Sequence, residues 1–105
     1  MIFEPDTIDA FGVRKDGGAD LLIVPCGPLD DSPETQTQLL DKIECYLGYV
    51  NSDEFRTQCP GADGGNTRII LRLDREPPAP IQELARKIVP WAAEYHAAFC
   101  VQIKP

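Results

Sequence analysis

Two short runs rich in apolar and β-prone residues lie near the start of the chain, IDAFGVR (8–14) and DLLIVP (20–25), and KDGGA between them holds the Asp-Gly-Gly of a tight reversal. The spacing predicts an antiparallel hairpin. Pro25, Gly27 and Pro28 end the second run, and Ser32, Pro33 and Glu34 then supply an N-cap, a favourable first helical residue and an acid in the positive first turn. The helix that begins there carries Leu39, Leu40, Ile43, Tyr46, Leu47 and Val50 at intervals of three and four, one stripe that a sheet must cover. Gly48 interrupts that stripe, which implies either a fraying end or a closely packed neighbour.

Residues 51–66 show no periodicity and contain the turn elements Cys-Pro-Gly and Asp-Gly-Gly-Asn, so they are expected to form a long, flexible loop. The run TRIILRL (67–73) follows as the clearest half-buried strand. A second helix is expected from about Pro80, with Ile81, Leu84, Ala85, Ile88, Ala92 and Tyr95 on one side and a kink or break at Pro90. AFCVQIK (98–104) closes the chain as a final strand. The predicted order is β-β-α-β-α-β in one α+β domain over residues 1–105. Right-handed crossovers would make it a two-layer sandwich, a four-stranded mixed sheet with two helices on one face.

The opposite face of such a sheet would carry Leu22, Val24 and Ile70 among Arg68, Arg72, Gln102 and Lys104. That mixture is more apolar than a solvated face requires. We therefore expect Leu22, Val24, Arg68, Ile70 and Arg72 to form an interaction surface, whose simplest occupant is a second copy of the chain, with another protein as the alternative partner.

Charge narrows the partners. The 105 residues carry a net charge of −7 and a pI near 4.5, which opposes the counterion release that drives nucleic-acid binding and weakens attraction to anionic lipid. The imbalance is local: residues 1–55 hold twelve acids and three bases, residues 56–105 five acids and seven bases. No apolar run approaches the ~20 residues of a membrane span, and MIFEPDTID carries acids where a secretory signal carries bases, so a cytoplasmic location is expected.

Candidate chemistry is sparse. His96 is the sole histidine and no Cys-x-x-Cys occurs, so no metal, cofactor or catalytic set is assigned. Cys26, between a strand and a helix start, and Cys59, in the expected loop, are the candidate reactive thiols, Cys59 being the one expected to lie exposed. Asp30 and Asp31 read as helix-capping acids, and Trp91 with Tyr95 as a helical aromatic pair. The expected function is a non-enzymatic interaction or accessory module, homodimeric. The alternatives are a small cysteine-dependent enzyme or redox-responsive protein and, third, a ligand pocket between the second helix and the sheet.

The stretches TIDAFGVRKDGGADLLIV, GPLDDSPETQ and LLDKIECYLGYV resemble a family of small bacterial proteins known only as a domain of unknown function. The likeness covers the first half of the chain: an Ile-Asp opening, a Lys-Asp-Gly turn, a Leu-Asp before the helix, and Lys-Ile followed by Tyr-Leu within it. These are patterns of structure, and the resemblance implies no activity and no functional residue.

Overall fold

The hairpin forms as its turn residues dictate. Gly17 takes a left-handed φ of +89° and donates its N–H to the Arg14 carbonyl at 3.0 Å, while Asp16 Oδ1 accepts the Gly18 N–H at 2.8 Å. This joins β1 (Ala10–Val13) to β2 (Ala19–Ile23), in antiparallel register with Ala10 opposite Leu22. The computed structural model describes residues 8–25, 27, 29–63 and 65–104.

Helix α1 (Pro33–Val50) starts where its cap requires. The Ser32 hydroxyl accepts the Thr35 N–H at 3.2 Å, and Asp30 Oδ1 accepts from the Ser32 N–H and hydroxyl at 3.0 and 2.6 Å. These hydrogen bonds from Ser32, with one from Thr35, hold the Asp30 carboxyl below the usual carboxylate range. Of the expected stripe, Leu39, Ile43, Tyr46, Leu47 and Val50 are buried and Leu40 is half-buried.

The segment expected to be one long loop contains a third helix, α2 (Asp53–Gln58), capped by the Ser52 hydroxyl on the Phe55 N–H at 3.2 Å. Six residues with one buried side chain, Phe55, cannot display a helical period, which is why the pattern missed it. The chain then packs back on the hairpin. Asn66 accepts at its carbonyl from the Ala19 N–H (3.1 Å) and from Arg14 Nη2 (2.6 Å), and a Cβ on Gly61 would meet the Gly17 carbonyl at 3.1 Å.

Strand β3 (Thr67–Leu73) and β4 (Ala98–Ile103) complete a mixed sheet in the order β1-β2-β3-β4, with β2, β3 and β4 parallel. Helix α3 (Ala79–Glu94) connects them and runs through Pro90 as one helix rather than two, with Pro90 exposed. It ends in a Schellman arrangement: His96 adopts φ +70°, its N–H reaches the Ala93 carbonyl, and the Ala97 N–H reaches that of Ala92. The buried faces of α1 and α3 meet Leu21, Ile23, Ile69 and Leu71, each fully enclosed, in one core. Burying each such side chain contributes roughly 1.5 to 3 kcal/mol. The fold is thus α+β with a four-stranded mixed sheet and three helices, where two were expected. No described helix is long and apolar enough to cross a membrane.

Candidate functional site

Strand alternation sends every second side chain to the side of the sheet away from the core. The register aligns them in rows across the strands. Ala10 pairs with Leu22, Leu22 with Ile70, and Ile70 with Cys100, so small and apolar side chains form one row over all four strands. The row toward the start of β2 and β3 holds Asp20 and Arg68, and the row toward their ends holds Val24, Arg72 and Gln102.

The five residues singled out in sequence therefore share one face, in unequal positions. Val24 is 48% exposed and Leu22 is half-buried, whereas Ile70, central in the row, is only 6% exposed. Leu22 and Cys100 flank Ile70 laterally, and Arg68 and Arg72 flank it along β3, so the isolated chain already shields much of it. Arg68 grips Asp20 with two hydrogen bonds of 2.8 Å, and Arg14 reaches the same carboxylate. The hydrogen bond from Arg68 leads in holding the Asp20 carboxyl below its ordinary range, against the opposing effect of burial. Arg72 is exposed and makes no ion pair among the described residues.

A second polar group lies under the other side of β2. Lys42, on the stripe of α1, is fully buried and places Nζ 2.8 Å from Asp9 Oδ1 and 5.5 Å from the centre of the Tyr46 ring. Tyr46 donates its hydroxyl proton to the Leu22 carbonyl and accepts the Asp9 N–H at 2.8 Å. Burial pushes the Tyr46 phenol well above its usual range, so it stays protonated and available as that donor. Asp9 Oδ2 in turn accepts the Val24 N–H at 2.9 Å. The network ties the start of β1, the end of β2 and α1 together. Sequence reasoning missed it because Lys42 and Asp9 are 33 residues apart and a lysine inside an apolar stripe reads as a solvated interruption.

The thiols fall differently from expectation. Cys59 is 1% exposed, enclosed as the cap residue of α2, and burial pushes its pKa up, so the exposure expected for it is corrected. Cys100 is the exposed thiol, raised by desolvation and drawn back by the Arg68 guanidinium. Neither has the depressed pKa of an activated nucleophile. Cys26 lies outside the described residues. Trp91 and Tyr95 line a groove with Leu47 and Gly48 between α3 and α1, and a Cβ on Gly48 would meet open space, so neither close packing nor fraying accounts for that glycine.

Comparison of the chain with protein-family models, curated proteins and solved structures finds no match. The resemblance in the first half of the sequence finds no counterpart there.

Proposed function

We propose that the chain is a non-enzymatic interaction module, a two-layer sandwich with both long helices on one face, that pairs with a second copy through the other. The observation that supports this reading is the row Ala10, Leu22, Ile70 and Cys100 on the sheet face away from the core, where Ala10 and Cys100 are exposed, Leu22 is half-buried and Ile70 is shielded by its neighbours, beside the adjacent Asp20 and Arg68. A two-fold axis parallel to the strands between β2 and β3 would set Leu22 of one copy on Ile70 of the next, and Asp20 on Arg68. Apolar side chains meet apolar ones and opposite charges meet, which is the self-complementarity a symmetric dimer needs.

The area limits the strength. Four strands at about 4.8 Å spacing, with three rows of outward side chains, present roughly 300 Å² per copy. Stable complexes bury about 800 Å² per partner, so the association is expected to be weak and concentration-dependent. Backbone amide spectra recorded over a dilution series test it. Shifts at Leu22, Ile70 and Cys100 that vary together with concentration are the expected result. An invariant spectrum at millimolar protein, or shifts confined to α1 and α3, would reject the surface.

A further inference from the structure

The three parallel strands end at one cleft. Val24 and Pro25 leave β2 there, the residues after Leu73 leave β3, and Lys104 follows β4, enclosing about 390 Å³. That volume falls in the range of small-molecule sites. We propose that this cleft binds a small organic anion, a carboxylate or phosphate group carried on a compact apolar body.

Charge argues for the anion. The chain is strongly acidic, yet among the described residues the cleft is lined by the cations Arg72, Arg75 and Lys104 against the acids Asp74 and Glu76. Asp74 lies 3.7 Å from Arg75, and Glu76 accepts from Gln82. Arg72 and Lys104 face no carboxylate within 4 Å among the described residues. Two uncommitted cations on adjacent strand ends form a local positive field in an otherwise negative molecule, and a planar guanidinium beside an ammonium suits a carboxylate or phosphate.

The remaining walls argue for the apolar body and for a preformed site. Val24, Leu29 and Leu73 supply aliphatic surface, and Pro25 and Pro77 stiffen the backbone around it. The strand ends and Pro77 are tied down. The Val24 N–H is held by Asp9, itself held by buried Lys42; the Lys104 N–H donates to the Leu73 carbonyl at 2.7 Å; and Gln82 Nε2 donates to the Pro77 carbonyl at 2.8 Å. A cleft whose walls are already fixed loses little freedom on binding. Val24 and Arg72 border both this cleft and the open face, so the two readings are told apart by where the amides move: ligand at Leu73, Asp74 and Lys104, self-association at Leu22, Ile70 and Cys100.

Amide spectra of the full chain titrated separately with phenyl phosphate, inorganic phosphate and phenol test the site. Phenyl phosphate should shift Val24, Leu73, Asp74 and Lys104 saturably at millimolar concentration, with inorganic phosphate moving the same amides more weakly and phenol least. The Arg72→Ala, Lys104→Ala double variant, at two exposed positions, should weaken phenyl phosphate binding by about tenfold or more while core amides keep their positions. Absence of saturable shifts, shifts mapping elsewhere, undiminished binding by the double variant, or phenol matching phenyl phosphate would each overturn the assignment. The wild-type titration decides without the variant.

Discussion

The two faces of the sheet are built from the same strands and differ by one residue in phase, yet they solve opposite problems. On the core face Leu21, Ile23, Ile69 and Leu71 are sealed beneath α1 and α3, and even the lysine on that side is enclosed and paired. On the other face Leu22, Ile70 and Cys100 sit beside the Arg68–Asp20 pair, which spans β2 and β3, with exposed Arg72 on the far side of Ile70. The first arrangement holds the fold together. The second leaves a modest apolar row at the surface, on the face to which we propose recognition belongs.

The largest effect should come from the core side. Lys42→Ala removes the enclosed member of a part-buried ion pair together with its packed aliphatic stem and is expected to cost about 3 to 5 kcal/mol in denaturant titration, and a loss below about 1 kcal/mol would mean that Asp9 is readily hydrated and the cavity readily closed without it. Ile43→Ala, fully enclosed on the same helix, should cost about 2 to 5 kcal/mol. Leu22→Ala on the open face should cost less than about 1 kcal/mol in dilute protein. Equal losses at Ile43 and Leu22 would erase the distinction between the faces.

Two smaller effects sharpen it. Gly48→Ala places a methyl group in open space within α1 and should raise stability by up to about 1 kcal/mol, whereas a loss would mean that something covers the groove beside Trp91. The open face should also carry its own acid sensitivity. With the Asp20 carboxyl held below its ordinary range mainly by Arg68, the stabilisation from this pair is complete above the ordinary carboxylate pKa and fades as pH falls through the lowered value. Asp20→Asn should therefore flatten the decline in stability below about pH 4, and an unchanged acid limb would show that the pair contributes nothing to folding.

What could be read in the sequence was whatever repeats locally. Ser32, Pro33 and Glu34 announce α1, its stripe announces the covered layer, and the alternation of Ile69, Leu71 and Leu73 with Arg68, Ile70 and Arg72 assigns both faces of β3 before any strand order is known. What depends on distant partners was not legible. Lys42 is enclosed where Asp9 and Tyr46 meet it, α2 has Phe55 as its one buried side chain, and Cys59 is sealed within the core cluster. The pairing of Asp20 with Arg68, and the convergence of Arg72 with Lys104 at one cleft, require β2, β3 and β4 to lie side by side.

Sedimentation of the wild-type chain from micromolar to millimolar concentration, repeated with Leu22→Glu, tests the assignment of recognition to the open face most directly. Leu22 is half-buried and its substitution spares the core, so circular dichroism should show the fold retained. The account predicts a monomer–dimer equilibrium for the wild type that Leu22→Glu shifts to monomer. A wild type that stays monomeric at millimolar concentration, or a dimer that Leu22→Glu leaves intact, would contradict it.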